Sequence, residues 1–167
     1  RIGSLNNHAI MDGEQYSSYT FKGYIDDIRV TKGVARYSGN FTVPQGAYYD
    51  YESDTVTSAS YLTVQTTNSA TLSDISYHNR PITLHGSAAL SNSQASTSRY
   101  AISMPGNAAD YVSVPASAHF DIGSTDFTIE AWVYISGAAT LNSTHTICGT
   151  YEAATSPIKG WRLTLTD

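Results

Sequence analysis

The segment Asp126–Ser136, DFTIEAWVYIS, alternates without interruption. Phe127, Ile129, Ala131, Val133 and Ile135 share one parity; Thr128, Glu130, Trp132 and Tyr134 share the other. A period of two is the side-chain repeat of a β-strand, and a wholly apolar parity has to be covered. The alternation therefore predicts a strand whose first set faces a core. The second set is amphipathic and is free to line a groove or to lie beneath a loop. What covers the apolar set is constrained in turn: no stretch of the chain offers a capped helix of ten residues, so a second sheet packed face to face is the expected partner.

The rest of the chain is consistent with that requirement. RIGS, YLTVQT, ITLHG, RYAISM, YVSVP, THTICGTY and KGWRLTLT read as short strands, separated by segments rich in Gly, Ser and Asn. TTNSATLSDISYHNRP reads as loop. Thirteen Tyr and twenty Thr in 167 residues favour extended, half-buried backbone. The fold class expected is all-β, an antiparallel β-sandwich.

From Tyr19 a second period-two pattern runs through FKGYIDDIRVTK, but its apolar residues change parity between Ile25 and Ile28. Either a bulge near Asp26–Asp27 or a strand covered on both faces would produce that change. GVARYSGNFTVP then reads as a loop anchored by Val34, Tyr37 and Phe41. Residues 51–60 are polar and small, without amphipathic register, and read as a linker.

Several function classes lose support at this level. Charged residues make up 14% of the chain, against the roughly 25% of an average domain, and the net charge is -5. Nine scattered Lys and Arg form no basic patch, so no nucleic-acid partner is expected. No apolar run reaches the roughly 18 to 20 residues of a membrane span, so no membrane partner is expected. The single cysteine, Cys148, can form no intrachain disulfide and reads as a buried strand thiol. His8, His78, His85, His119 and His145 lie far apart in sequence with no zinc-type spacing, and read as surface or loop residues.

Two blocks carry a resemblance. DYVSVPASAHFDIGSTDFTIEAWVYI resembles the first half of a laminin-G-like, concanavalin A-like jelly roll, and GWRLTL fits a strand that follows in that fold. FKGYIDDIRVTKGVARYSGNFTVP resembles the last strand and exit loop of the same family, in the variant found in tandem copies in bacteriophage tail and fibre proteins. The resemblance covers roughly residues 1–48 and 60–167. It implies that residues 1–50 are the C-terminal part of a first sandwich, 51–60 a linker, and 61–167 the N-terminal part of a second. The alternative it leaves open is one circularly permuted sandwich, in which the first block closes the second.

The resemblance also implies what to look for by way of a site. Glycoside hydrolases of the wider fold need two carboxylates about 5–5.5 Å apart for retention. Glu130 stands alone on its face of the strand, with Thr128, Trp132 and Tyr134 beside it, so no catalytic residue is expected and the chain is read as non-enzymatic. In related jelly rolls an acid near the closing strand joins a structural calcium site, which here would draw on Asp26 and Asp27. The acids that accompany it in the family are missing from VQTTN and YAISMPG, so no cofactor is expected. The simpler expectation has one Asp accepting backbone hydrogen bonds at a bulge, and the other pairing with Arg29 or facing solvent. For glycan binding the candidates are Trp132, Tyr134 and Trp161, with Tyr49 and Tyr51 nearer the linker, because an aromatic face gives a sugar ring a large contact at low entropic cost. The expected role is a structural or adhesion module of a virion appendage, extracellular, homo-oligomeric and packed against other appendage subunits or a host-surface glycan. The alternative is a carbohydrate-binding module of a larger secreted protein. In a virion setting the sequons at Asn40–Thr42 and Asn142–Thr144 carry no glycan.

Overall fold

In the computed structural model the described residues are 2, 4–5, 19–46, 60–66, 71–96, 99–136, 144–150 and 160–166. They form twelve strands: β1 (Ser4–Leu5), β2 (Tyr19–Thr20), β3 (Gly23–Lys32), β4 (Ser60–Thr66), β5 (Leu72–Asp74), β6 (Thr83–His85), β7 (Ala89–Ser91), β8 (Ala101–Met104), β9 (Tyr111–Ser113), β10 (Phe127–Ile135), β11 (Thr144–Gly149) and β12 (Arg162–Thr166). Their sole helical element is a 3-10 turn at Ala118–Phe120. Among them no helix is long and apolar enough to cross a membrane.

β3 is the hub. It is ten residues long and pairs antiparallel with β10 from Gly23 to Lys32. Its other edge is shared: β8 pairs Gly23–Ile25, and β4 pairs Ile28–Thr31. β5 extends β4 and β7 extends β8, which completes a six-stranded sheet. The block before residue 50 and the block after residue 60 thus share one hydrogen-bonded sheet. Of the expected linker, residues 51–59 lie outside the described residues, and Ser60 is the first residue of β4.

The second layer is assembled from two strand pairs, β11–β12 and β6–β9, joined through Ile2. The Ile2 N–H donates to the Val112 carbonyl and the Ile2 carbonyl accepts the Val112 N–H, both at 2.9 Å, and Ile2 also bridges to Cys148. One apolar cluster takes members from both layers. Phe21, Ile25, Ile28, Val30, Val64, Ile102 and Met104 meet Ile2, Val112, Phe120, Ile147 and Cys148. Each large side chain removed from water in this way contributes about 1.5–3 kcal/mol. β3 alone supplies three of the fully buried ones, which is why the architecture centres on it.

The change of parity in β3 is a bulge. Arg29 stands opposite Glu130 and Asp26 opposite Trp132, so Asp27 and Ile28 together face Ala131. Asp27 adopts φ 46°, a left-handed conformation that Asp tolerates better than most residues. The inserted residue returns both Ile25 and Ile28 to the core, each fully buried, and leaves Tyr24, Asp26, Arg29 and Thr31 on the opposite face. A second bulge, between Thr146 and Cys148 of β11, lets Ile147 and Cys148 both sink into the core.

Two expectations need correction. β10 is not an interior ribbon along its whole length. Ile129 and Ala131 pack against the core, but Phe127, Val133 and Ile135 are 48%, 38% and 46% exposed. The reason is positional: among the described residues β3 is its one strand partner, and the ends of the apolar parity run past what the second layer covers. The loop expected at residues 66–81 contains β5, and β7 was not anticipated at all. Both are three residues long and too short to show a period.

Candidate functional site

The outer face of the β3–β10 pair carries Thr31, Arg29, Asp26 and Tyr24 opposite Thr128, Glu130, Trp132 and Tyr134. Two loops divide it. Over the first half lies the loop after β3. Arg29 donates from Nε and Nη2 to Glu130 Oε2 at 2.9 and 2.7 Å, and the Tyr37 hydroxyl donates to Glu130 Oε1. Arg36 donates its backbone N–H to Thr128 Oγ1 at 2.9 Å and its Nε to Thr31 Oγ1 at 2.7 Å. The Thr128 hydroxyl in turn donates to the Val34 carbonyl at 3.3 Å. Tyr37 stacks on Phe41 with centroids 3.8 Å apart. Burial, followed by the bond to Glu130, raises the Tyr37 pKa above its ordinary 10.0, so the phenol stays protonated as the donor this network requires.

Over the second half the face is open. A recess of about 260 Å³ is lined by Tyr24, Asp26, Trp132, Val133 and Tyr134, with Gln94, Ala95 and Ser96 forming a wall. Tyr24 and Tyr134 are cross-strand partners and meet edge to face, centroids 6.0 Å apart at 63°. Gly23 makes this meeting possible: at φ +153° a Cβ would stand 2.1 Å from the Tyr134 carbonyl oxygen, closer than any side chain tolerates. Asp26 is 4% exposed, and its Oδ2 accepts the Ser96 N–H at 2.9 Å, which ties the wall to the floor. The Trp132 indole Nε1 is buried with no hydrogen-bond partner among the described residues.

The candidates from the sequence separate accordingly. Trp132 and Tyr134 come together with Tyr24, which sequence reasoning had not singled out. Trp161 belongs to the other layer, flanking β12. It packs against the core, and its indole N–H donates to the Phe120 carbonyl at 2.8 Å. Tyr49 and Tyr51 lie outside the described residues. Asp26 enters the recess, whereas Asp27 occupies the bulge. Arg29 pairs with Glu130. No group of three or more His, Cys, Asp or Glu that could hold a metal ion occurs among the described residues. Asp26 and Glu130 do share a face on diagonal positions, but both Glu130 oxygens are engaged by Arg29 and Tyr37, and Glu130 does not line the recess.

Of the five histidines, His8 lies outside the described residues, His78 and His119 lie in turns as expected, and His85 and His145 lie instead in β6 and β11. His85 stacks on Tyr111 at 4.2 Å and contacts Ser113 Oγ at 2.7 Å, and His145 Nδ1 lies 2.9 Å from the Thr20 carbonyl. His78 and His119 meet at 4.6 Å beside Arg80.

The described residues thus define an all-β protein of antiparallel sheets in a sandwich-like arrangement, with an aromatic recess on one outer face. Comparison with family models, curated proteins and solved structures found no match.

Proposed function

We propose that the chain is a non-catalytic adhesion module whose recess seats a single ring of a surface glycan, carried on a concanavalin A-like jelly roll of a virion appendage. The observation that carries the binding reading is the composition of the recess. Three aromatic residues, one carboxylate, Gln94 and Ser96 line a space of about 260 Å³. Ligand sites are typically hollows with a few placed polar groups; this one is more polar than most and stands just below their usual size range, which suits one ring rather than a chain of them. Aromatic faces take the C–H side of a sugar, while Asp26, Gln94 and Ser96 offer partners to its hydroxyls. The pairing of β3 with β4, β8 and β10 supports a single sandwich closed by the N-terminal block over the tandem-fragment reading. The jelly-roll and virion assignments rest on the resemblance of the two sequence blocks, which is an analogy of fold.

A glycan array followed by calorimetry on the recombinant chain tests the binding reading. Millimolar or tighter binding of at least one saccharide, weakened tenfold or more by Tyr134→Ala, is the expected result. No saccharide bound at millimolar concentration would overturn it.

A second reading, subunit packing, is favoured by β10 itself. Phe127, Val133 and Ile135 leave exposed apolar side chains along one face of a strand with one partner among the described residues. Such an edge is suited to pairing with a neighbouring subunit. A concentration-independent monomer in sedimentation experiments would remove the homo-oligomer from this reading.

A further inference from the structure

We propose that the loop after β5 and the 3-10 turn at Ala118–Phe120 form an acid-released clamp: protonation of His119 detaches the turn from Arg80 and loosens the contact that Phe120 makes with Trp161 beneath it.

The bond that closes the clamp sets its sensitivity. Arg80 Nη2 lies 3.1 Å from His119 Nδ1. A guanidinium only donates, so Nδ1 holds a lone pair and the ring proton sits on Nε2. Protonating the ring places a hydrogen on Nδ1, facing the donor. The bond then becomes a contact between two cations, whatever other bonds the guanidinium makes. His78 adds to the effect, since its ring meets that of His119 at 4.6 Å. Burial, then Arg80 and His119, hold the His78 pKa below 6.5, and Asp74 works the other way. Among the described residues, the charged and titratable groups of the two elements are Asp74, Tyr77, His78 and Arg80 on the loop side, with His119 and Asp121 on the turn side. Asp74 is buried and accepts the Ser76 and Arg80 backbone N–H groups, both at 3.0 Å, with Arg80 Nη1 3.6 Å away. Tyr77 is exposed and meets His78 edge to face at 5.9 Å. Asp121 accepts the Gly123 N–H at 3.1 Å.

The turn carries the release inward. The Arg80 guanidinium lies over the Phe120 ring, 5.0 Å from its centroid. Phe120 is buried in the core cluster, and its carbonyl accepts the Trp161 indole N–H at 2.8 Å. The turn's own bonds run from Phe120 N–H to the Ser117 carbonyl and from Asp121 N–H to the Ala118 carbonyl, both at 3.1 Å. A 3-10 piece this short has poor bond geometry and no cooperativity to draw on, so its neighbours keep it in place. Arg80 holds it from outside and Trp161 from inside. The sign follows from the His78 pKa: the clamp is complete above pH 6.5 and is lost as pH falls from there through the lower folded value.

The test follows the Trp161 indole N–H by NMR in the whole chain, with Trp161→Phe to assign it against the one other tryptophan, Trp132. The Trp161 signal should titrate between about pH 7.5 and about pH 5, where histidines change charge. His119→Asn keeps an oxygen near the place of Nδ1 and takes up no proton. At about pH 5 the Trp161 indole should exchange its hydrogen about tenfold faster in the wild type than in His119→Asn, with equal rates at about pH 7.5. A Trp161 signal that stays fixed across this range overturns the proposal without any variant. So does a transition that persists in His119→Asn. A wild-type transition centred below about pH 4.5 would belong to carboxylates and would overturn it as well.

Discussion

Arg29 and Glu130, 101 residues apart in the chain, are cross-strand neighbours that close an ion pair at 2.7 Å with both side chains about nine-tenths buried. Each of the two sequence blocks supplies one partner. The pair does more than join β3 to β10: Tyr37 bonds the second oxygen of the same carboxylate, so the loop over half of the outer face hangs from Glu130. Removing one member of a buried pair strands the other charge, which costs about 3–5 kcal/mol, whereas replacing both with apolar residues of similar volume costs far less. Glu130→Ala should therefore lower stability by that amount and expose Arg36 to trypsin. The double variant Arg29→Met/Glu130→Leu should recover most of the loss in urea denaturation. Single and double variants of equal stability would show that the pair does not hold the loop.

The same network implies an alkaline limit. The Tyr37 pKa is raised in the folded state by burial and by the Glu130 carboxylate. The stabilisation is intact below the ordinary value of 10.0 and is lost as pH rises through the raised folded value. Ultraviolet difference titration should find one tyrosine ionising later than the rest, and Tyr37→Phe should remove that late phase.

The bulge at Asp27 determines which side chains reach the recess, because a strand without the inserted residue would turn either Ile28 or Asp26 to the wrong face. Asp27→Val forces a β-branched residue into a left-handed conformation and should cost about 1–3 kcal/mol. Asp27→Asn keeps the backbone tolerance and should cost less. If the two variants prove equally stable, the left-handed bulge does not form in solution. Sugar binding should fall with Asp27→Val even where the protein remains folded.

Much of this was legible in the sequence, for identifiable reasons. β3 and β10 are ten and nine residues long, enough for alternation to register, and the parity change at Ile25–Ile28 left two readings, a bulge or a strand covered on both faces, of which the structure has the bulge. β5 and β7 left no such signal at three residues each. The faces of β10 were assigned correctly, but their burial was not, because alternation reports the direction of a side chain and not how far the opposite layer extends. Trp132 and Tyr134 were legible as a pair because they share a parity. Tyr24 was not, since its place in the recess depends on a cross-strand register with Tyr134 that no local pattern encodes. Trp161 looks equivalent to Trp132 in sequence, but it flanks β12 in the other layer, packs against the core and gives its N–H to the Phe120 carbonyl.

The His78–His119 contact gives the opposite pH dependence to Tyr37. Burial lowers the His78 pKa below 6.5, Arg80 and His119 lower it further, and Asp74 partly offsets them. The fold thus favours neutral His78. Its contribution is complete above pH 6.5 and is lost as pH falls from there through the lower folded value. NMR titration should show His78 protonating below the usual histidine range, and Arg80→Gln should move it back toward 6.5. A midpoint unchanged by Arg80→Gln would mean that the guanidinium does not act on the ring.

Cys148 offers a direct reading of core opening. Burial pushes its pKa up to about 12, and the thiolate is the reactive form. A disulfide reagent at pH 8 should leave the folded chain unlabelled and react once denaturant opens the core. With a single cysteine in the chain, the labelling rate has one source. Rapid labelling of the folded protein would mean that β11 does not pack as described.

Trp161 and Tyr134 separate architecture from binding. Trp161 donates to the Phe120 carbonyl from within the second layer. Trp161→Phe keeps most of the ring and removes that donor, leaving a carbonyl without its bond. A lost hydrogen bond of this kind costs about 1 kcal/mol. The variant should therefore unfold at a lower denaturant concentration and bind its ligand with unchanged affinity. Tyr134 is half exposed, so Tyr134→Ala should do the reverse: little change in the unfolding midpoint, and a tenfold or greater loss of ligand affinity. Measuring both properties on both variants gives a two-by-two outcome. If binding follows Trp161 instead of Tyr134, the recess between β3 and β10 is the wrong site, and the second layer carries the ligand.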